Sequence, residues 1–375
     1  MKIQRIEPFV VRHELREAFA FSQWEYRTRE ICLVRVTAED GTYGWGEGYG
    51  PAQVVRAGIE FLAPLVVGRD PLAHELLWQA LFRRSYDYAR QGVLTAALSA
   101  VDVALWDLRG KRLGQPVSVL LGGRRRETVR AYATGMYFRD VPDLPAALAE
   151  EAAGYKAQGF DAVKMKVGLG LEPDEANIRA VRAALGPGVG LMIDANHAFS
   201  RREAAALARR VEPLDIGWFE EPLCPDDQDG YRELRAATPI PIAAGECEAL
   251  RAGFLRLFRG HCVDIAQPDI CAAGGLTEVK RIMDLAQSFG VPVCPHCWGT
   301  GIAVSAALHL LSTWEAVPGR RDPQEPWLEL DRTENPLRDE LVQPTIRPEQ
   351  GRVPVPTAPG LGVDVDQVLL DQYLV

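Results

Sequence analysis

Six ionisable residues recur along the second half of this 375-residue chain at intervals of 28, 26, 26, 23 and 27 residues. Each stands at the end of a short apolar run, as at 191–194 and 216–220. A strand followed by a helix takes about this much chain, and barrel enzymes keep their chemistry at the carboxyl ends of such strands. The spacing therefore predicts βα repeats with one reactive side chain per repeat. The six are Lys166, Asp194, Glu220, Glu246, Asp269 and His296.

The composition narrows the class of protein. Apolar residues make up 47% of the chain and charged residues 25%, as in soluble globular proteins. The net charge of −9 argues against nucleic acid or an anionic membrane surface as a partner. We find no signal peptide and no apolar segment long enough to span a bilayer, so a cytoplasmic location is expected.

The seven cysteines are an odd number with irregular spacing, and in a reducing compartment they are expected to be free thiols. Residues 294–297 match the C-x-x-C pattern of redox enzymes. Nothing nearby indicates the thioredoxin-like unit that such a motif requires, and a lone C-x-x-C is only half of a four-cysteine zinc site. We therefore favour a structural interpretation of this pair.

The first third of the chain has a different pattern from the rest. Strand-like stretches at 1–12, 30–37 and 43–47 precede helical patterns, which predicts an α+β domain over 1–125. From residue 129 strands and alanine-rich helices alternate up to a last strand at 327–330, which predicts a parallel closed barrel over 126–344. The tail, about 345–375, is expected to be extended chain and turns that cover the first domain. The helices are expected at 52–67, 72–85, 92–112, 144–158, 174–185, 201–211, 228–237, 276–289 and 300–311.

Three of the six residues are carboxylates on consecutive predicted strands. Strand neighbours lie about 4.8 Å apart, so Asp194, Glu220 and Glu246 are able to meet at one cation. Unpaired, they would repel one another and some would protonate. All-oxygen ligands favour Mg²⁺, with Mn²⁺ as a substitute. A salt-bridged strand cap explains any one acid, but it explains three in register less well. Asn196 is expected to support the metal or its water.

Two lysines share one strand face, because strand side chains alternate with period two. A solvated pair is the usual interpretation, but Lys164 and Lys166 lie within an otherwise apolar stretch. Two adjacent ammonium groups lower each other's pKa, which would leave one as a base near neutral pH and the other to hold a substrate carboxylate.

A histidine and an aspartate on neighbouring strands form a second basic group. Asp269 is able to fix the tautomer and orientation of His296, whereas a lone histidine is more often structural. A metal flanked by bases on two sides suits removal of a proton next to a carboxylate, because positive charge stabilises the enediolate. Glu329, if protonated, is expected to hydrogen-bond an enediolate oxygen.

These residues resemble the enolase superfamily, in its mandelate racemase subgroup, whose sites pair a Lys or His base with Mg²⁺. The resemblance implies an N-terminal α+β capping domain, completed by the C-terminal segment, and a modified TIM barrel of the (β/α)7β type. It also implies Asp194, Glu220 and Glu246 as Mg²⁺ ligands, with a homo-oligomeric assembly. Lys166 and the His296–Asp269 pair are implied as opposed acid/base groups, and Lys164 and Glu329 as contacts to the substrate carboxylate. The matching stretches are 163–166, 192–196, 218–222, 244–246, 267–269, 295–296 and 327–329.

Further stretches at 104–107, 120–124, 130–135, 295–301 and 331–336 look most like galactarolactone cycloisomerases and related acid-sugar enzymes. In the family the capping-domain loops select the substrate, and here these are about 18–29 and 47–53. Arg27 and Arg29 are expected to bind a distal carboxylate. The residues expected to bind substrate are Asn196, Trp298, Phe21, Trp24, Tyr49 and Arg27.

The leading hypothesis is Mg²⁺-dependent removal of the proton α to a carboxylate of a small hydroxy acid, followed by β-elimination on an acid sugar or its lactone. Racemisation or epimerisation of a hydroxy acid or amino-acid derivative by the same residues is the alternative, favoured by the aromatic residues of the loops at 18–29 and 47–53 and by the opposed bases. A non-catalytic barrel that only binds metal or carboxylates is a third hypothesis. Such a barrel is expected to have lost Lys166 or His296, and both are present. Proton exchange in heavy water without elimination would distinguish the first two.

Overall fold

The computed structural model describes residues 1–315 and 325–375. Most of the proline-rich connection at 317–326 lies outside the described residues. No helix within the described ranges combines the length and apolar character needed to cross a bilayer.

The N-terminal part is a three-stranded antiparallel sheet packed against helices. The helix Val93–Leu113 lies very close to the third strand, Tyr43–Gly48. A Cβ on Gly44 would come within 2.1 Å of the backbone oxygen of Ala104, and a Cβ on Gly46 equally close to that of Ala100. Only glycine permits this approach, which explains the alternating glycines of that strand. The elements are β1 (Ile3–Ala20), β2 (Glu25–Ala38), β3 (Tyr43–Gly48), α1 (Ala52–Leu62), α2 (His74–Ser85), α3 (Val93–Leu113) and α4 (Val117–Leu120).

The second part is a barrel of parallel strands in chain order, with the last strand beside the first. Its strands are β4 (Thr128–Thr134), β5 (Ala162–Lys166), β6 (Gly190–Asp194), β7 (Ile216–Glu220), β8 (Ile242–Ala244), β9 (Ile265–Ala266) and β10 (Trp327–Asp331). Its helices are α5 (Leu144–Ala157), α6 (Leu171–Leu185), α7 (Arg201–Val211), α8 (Gln228–Ala237), α9 (Leu250–Arg259), α10 (Gly275–Ser288) and α11 (Gly301–Thr313). The predicted fold class is confirmed.

The later barrel strands are shorter than the sequence pattern predicts. β8 and β9 end before Glu246 and Asp269, and Val293 joins β9 through a single bridge to Ala266. Prolines at 268, 292 and 295 have no N–H to donate to a ladder, which limits strand length here. These site residues therefore lie in turns just beyond the strands.

Inside the barrel, side chains two residues apart along a strand stack in layers. On β5, Ala162, Lys164 and Lys166 all face inward. The apolar layer therefore lies toward the amino ends of the strands and the charged groups lie toward the carboxyl ends. The apolar layer takes one side chain from each of six positions around the barrel: Tyr132, Ala162, Met192, Trp218, Ala243 and Cys294.

Two buried carboxylates of the N-terminal domain cap helices of the barrel. Glu47 on β3 accepts from the backbone N–H of Thr300 at 3.1 Å, where α11 begins. Asp102 on α3 accepts from the N–H of Thr277 at 2.9 Å, in the first turn of α10. Each carboxylate satisfies N–H groups that the helix itself leaves unpaired. The two domains are therefore fixed together at the carboxyl edge of the barrel strands.

The C-terminal segment returns along both domains. The strand Arg352–Pro354 pairs with β4 of the barrel, whereas Leu374 bridges to Val11 of β1. The tail contains a helix, so the expectation of extended chain and turns alone is wrong, because Asp366 caps that helix by accepting from two N–H groups. The elements are α12 (Pro336–Asp339), β11 (Val342–Gln343), β12 (Arg352–Pro354), β13 (Asp364–Val365) and α13 (Gln367–Tyr373).

Candidate active site

The charged residues form a row along the carboxyl edge of the barrel. Strand register places Lys166 opposite Asp194, and Asp194 opposite Glu220. Glu246 joins the row from the turn after β8, where Gly245 adopts a φ of 139°. A side chain at Gly245 would meet the ring of Phe254 at 2.8 Å, so this turn requires glycine.

The three carboxylates predicted as metal ligands lie close together. Oxygen atoms of Asp194, Glu220 and Glu246 all lie within 4.8 Å of one another, and the first two side chains are fully buried. With Asp269 and Glu329 the site holds five carboxylates against three basic side chains, Lys164, Lys166 and His296. An excess of buried negative charge and an all-oxygen donor set fit a hard divalent cation. We call these three residues the acid trio.

Glu220 is held by fixed donors at the base of the acid trio. The indole N–H of Trp218 and the amide of Gln267 donate to its Oε2 at 2.8 and 2.6 Å. The ammonium group of Lys164 bonds to the other oxygen. Burial raises the pKa of Glu220 to about 8, so added positive charge favours its ionised form at neutral pH.

The two lysines are held by carboxylates more strongly than they repel each other. Lys166 Nζ lies 2.5 Å from Asp194 Oδ2 and 2.7 Å from Asn196 Oδ1. Burial, the largest single effect, and the neighbouring Lys164 lower the pKa of Lys166, but Asp194, Tyr137 and Glu246 together outweigh both and raise the pKa above the usual lysine value. The pKa of Lys164 is also raised, against its burial, by Glu220 and Glu329. The expected net lowering of a lysine pKa is therefore wrong for this arrangement, because the carboxylates are closer.

His296 is oriented by a carboxylate as the strand positions suggested. Its Nδ1 lies 2.6 Å from Asp269 Oδ2, while Asp269 Oδ1 accepts from the N–H of Cys271 at 2.5 Å. Its Nε2 lies 3.6 Å from Glu246 Oε2. Burial lowers the pKa of His296, but Glu246 and Asp269 outweigh it and raise the pKa to about 10. The Nε2 atom of His296 thus faces the acid trio.

Lys166, Glu246 and His296 line one cavity of about 460 Å³. This volume falls within the roughly 300–1,000 Å³ of small-molecule sites. Lys166 ends the second barrel strand, and His296 follows the bridge at the seventh strand position. A small carboxylate in this cavity can therefore be reached by both groups.

Glu329 does not act as a protonated hydrogen-bond donor in this arrangement. Its carboxylate accepts from Lys164 Nζ at 2.8 Å, from Thr134 Oγ1 at 2.7 Å and from the N–H of Cys297 at 3.1 Å. Burial raises the pKa of Glu329, but the charges of Lys164 and His296 and the hydrogen bonds from Lys164 and Thr134 together outweigh burial and hold the pKa at about 2. Three donors surround the carboxylate and favour its ionised form, so the protonation on which the predicted hydrogen bond depends is not favoured in this arrangement. Its position beside Lys164 still borders the cavity.

Aromatic rings form the outer wall of the cavity. The rings of Phe21 and Tyr26 stack at 5.5 Å, and Tyr26 contacts Trp298 at 4.7 Å. Tyr49 lies 5.1 Å from the His296 ring. The indole N–H of Trp298 is buried and has no hydrogen-bond partner within the described ranges. Phe21, Trp24, Tyr49, Trp298 and Asn196, all expected to bind substrate, line this one cavity.

The two arginines proposed for a distal carboxylate are placed differently. Arg27 is 76% exposed, pairs with Glu25 and does not line the cavity. Its neighbours Tyr26 and Thr28 face the cavity, so strand alternation turns Arg27 away. The prediction for Arg27 is therefore not supported. Arg29 lines the cavity, but it bonds to Asp331 and stacks over Trp298 with its guanidinium carbon 3.9 Å from the ring centroid.

Sequence reasoning missed several lining residues. Tyr137 follows the first barrel strand, and its ring lies 5.2 Å from Lys166 Nζ. The strand-end spacing, carried one repeat toward the N-terminus, would have indicated this position. Gln23, at the tip of the β1–β2 hairpin, donates to the backbone oxygen of Asn196 at 2.8 Å. No local signal predicts this contact, because it joins two domains.

The C-x-x-C pair is structural in its placement. All seven cysteines are free thiols. Cys294 lies in the apolar layer of the barrel interior, and burial raises the pKa of its thiol far above the usual value. A buried neutral thiol is a poor redox nucleophile.

With this architecture and site described, the chain can be compared with known proteins. Residues 5–122 match the family described as "Mandelate racemase / muconate lactonizing enzyme, N-terminal domain", and residues 147–369 match "Enolase C-terminal domain-like". The chain belongs to the enolase superfamily, in its mandelate racemase subgroup, and is an enzyme of that superfamily. The predicted family resemblance is confirmed.

Individual relatives cover the whole chain. A D-galactarolactone cycloisomerase of Agrobacterium fabrum is 40% identical over 373 residues, covering 100% of this chain and 99% of the relative. An arabinonate dehydratase of Saccharolobus solfataricus is 34% identical, covering 96% and 94%. The crystal structure of the 3,6-anhydro-D-galactonate cycloisomerase of Zobellia galactanivorans has a TM-score of 0.92 and 55% identity, covering 100% of both chains.

Proposed function

We propose that this enzyme catalyses the ring-opening isomerisation of an anhydro-sugar acid of the 3,6-anhydrohexonate type. The observation that carries the proposal is one cavity in which Lys166 and His296 flank the acid trio beneath an aromatic wall. The relatives named above act on lactones, anhydro-sugar acids or sugar acids, and all of these reactions suit α-proton removal followed by β-elimination.

The cavity wall favours a ring-shaped substrate over an open polyol. Phe21, Tyr26, Tyr49 and Trp298 present mainly ring faces and edges, and their only polar groups are two phenolic hydroxyls and one indole N–H, fewer than an extended polyhydroxy chain requires. An anhydro ring turns C–H groups toward such a wall and leaves fewer hydroxyls to satisfy. The 55% identity with the 3,6-anhydro-D-galactonate cycloisomerase supports the same choice.

The reaction balances as an isomerisation. Lys166 or His296, in its neutral form, removes the proton from C2, next to the carboxylate, and the electron pair forms the C2=C3 double bond. The bond from C3 to the ring oxygen breaks, and that oxygen stays on C6 and receives a proton from one of the two groups. The enol then becomes the 2-keto-3-deoxy acid. No water is gained or lost.

The residues around the substrate carboxylate suit the charge that develops there. Lys164 lies between Glu220 and Glu329 and carries its positive charge at the base of the site. We propose Mg²⁺ for the acid trio, with Mn²⁺ as a substitute, because the three donors are all carboxylate oxygens. Such a cation would supply positive charge to the carboxylate as the proton leaves. A homo-oligomeric state and a cytoplasmic location stay predictions.

The test is incubation of the enzyme and Mg²⁺ with 3,6-anhydrogalactonate, galactarolactone, galactonate and arabinonate in heavy water, followed by proton NMR. The anhydro acid should give the 2-keto-3-deoxy acid with deuterium at C3. Turnover of only the open aldonates would overturn the proposal in favour of a dehydratase. Exchange at C2 with inversion and no elimination would identify a racemase or epimerase instead.

A further inference from the structure

A second group of metal-binding side chains lies beside the acid trio and has no part in the chemistry above. His197, Glu221 and Cys247 follow β6, β7 and β8, the same three strands that lead to the trio. One imidazole nitrogen, one carboxylate oxygen and one sulfur lie within 4.8 Å of one another. His197 and Cys247 also line the cavity, so the group is open to solutes from that side.

The histidine is oriented as a ligand. His197 Nδ1 lies 3.2 Å from the backbone oxygen of Leu223, and a ring nitrogen that faces a carbonyl oxygen carries the hydrogen. This bond directs Nε2 toward the other two residues. A carbonyl on the far ring nitrogen is the arrangement that orients histidines in metal sites.

The separations suit a tetrahedral ion. His197 Nε2 lies 3.0 Å from Glu221 Oε2 and 3.4 Å from Cys247 Sγ. Bonds of about 2.1 Å to nitrogen and oxygen and about 2.3 Å to sulfur require ligand separations of roughly 3.4–3.6 Å. The two separations from His197 therefore need to widen by only a few tenths of an ångström, and the Glu221 oxygen lies within 4.8 Å of the Cys247 sulfur.

One carboxylate oxygen of this group is buried without a hydrogen bond. The Glu221 side chain is 2% exposed, and within the described ranges its Oε2 has no hydrogen-bond partner of adequate geometry. A buried carboxylate oxygen without a partner is costly. A doubly protonated His197 would offer charge but not a well-aligned hydrogen bond, whereas a cation would satisfy all three side chains.

We propose that His197, Glu221 and Cys247 form a second metal site, which takes a borderline transition ion such as Zn²⁺ and leaves its fourth position open to the cavity. Mixed nitrogen, oxygen and sulfur donors favour Zn²⁺, whereas the acid trio offers oxygen alone and favours Mg²⁺. The two neighbouring sites are thus separated by ligand chemistry. This inference does not depend on which acid the enzyme isomerises.

Titration of the Mg²⁺-saturated enzyme with Co²⁺ tests the site. A phosphine is added to keep the cysteine thiols reduced. Excess Mg²⁺ occupies the acid trio, and the absorption spectrum reports on any thiolate ligand through a sulfur-to-cobalt charge-transfer band in the near ultraviolet. We expect one equivalent of Co²⁺ to produce that band and Zn²⁺ to abolish it. The band should disappear in Cys247→Ser and persist in Cys224→Ser, which removes the other exposed thiol.

A second variant covers the case in which Cys247→Ser fails to fold. His197→Gln keeps the thiol but removes the nitrogen ligand, so its affinity for Co²⁺ should fall at least tenfold while the band remains sulfur-based. Absence of a thiolate band in the wild-type enzyme would overturn the proposal and leave a His197–Glu221 ion pair. A band that survives Cys247→Ser would also overturn it.

Discussion

Replacement of Asp269 by asparagine changes the tautomer of His296 without removing the side chain. Asp269 Oδ1 is committed to the N–H of Cys271 at 2.5 Å. In Asp269→Asn the amide oxygen must keep that contact, so the amide nitrogen takes the Oδ2 position, 2.6 Å from His296 Nδ1. The amide then donates to Nδ1 and places the imidazole hydrogen on Nε2, which can no longer accept a proton.

The same change in a catalytic triad lowers kcat about 10⁴-fold, which corresponds to about 5.5 kcal/mol in the barrier. We expect a loss of this order for isomerisation, measured by proton NMR in heavy water with 3,6-anhydrogalactonate. Loss of both C2 exchange and product would mean that His296 removes the proton. Retained exchange with loss of product would mean that it protonates the leaving oxygen.

The control for this experiment is Asp102→Asn, which makes the same replacement at a buried carboxylate on α3 that caps α10. It should reduce stability and leave turnover near the wild-type value. A folded Asp269→Asn enzyme whose turnover stays within tenfold of wild type would refute the reasoning about the tautomer.

Three further predictions address the metal, the domain contact and the cavity wall. Glu220→Gln should weaken Mg²⁺ binding by at least about a hundredfold, more than loss of an outer partner does, and calorimetry that finds unchanged affinity would contradict this. Burial raises the pKa of Glu47 to about 7 from an ordinary value of 4.5, so its neutral form stabilises the fold at low pH. That stabilisation, about 3 kcal/mol, should be lost as pH rises from 4.5 through 7 and be missing in Glu47→Gln, and equal pH slopes in denaturant titrations would refute it. Trp24→Ala, at a 54% exposed position on the cavity wall, should raise KM about fivefold with kcat little changed, and a fall in kcat alone would show that Trp24 acts elsewhere.

Much of the architecture is predictable because it depends on local signals. The helices at Arg201–Val211 and Gln228–Ala237 begin and end where their periodicity predicts. Ser200 and Glu203 form a capping box at the N-terminus of the first helix. The βα alternation implied a helix between β8 and β9, but no range was predicted for α9. β8 and β9 were predicted too long, because strand length there depends on ladder partners that prolines and the Gly245 turn interrupt.

The residues that form the site were easier to predict from the sequence than the directions of their pKa shifts. The pattern placed Lys164 and Lys166 on one strand face, but the direction of their pKa shifts follows from Asp194, Glu220 and Glu329 on other strands. Glu329 is ionised for the same reason. Charge interactions depend on distances between residues far apart in the chain, and no spacing rule supplies those distances.

By itself, the sequence determined the βα repeat, the superfamily and the residues that stand at the carboxyl ends of the strands, because a repeating period and alternating side chains follow from local backbone geometry. Only the tertiary structure decided that the β1–β2 hairpin lays Ser22 and Gln23 against the Asn196 turn, that Arg27 faces away from the cavity, and that His197, Glu221 and Cys247 meet. These contacts join segments that approach one another only when the capping domain packs on the barrel and its strands close into a ring.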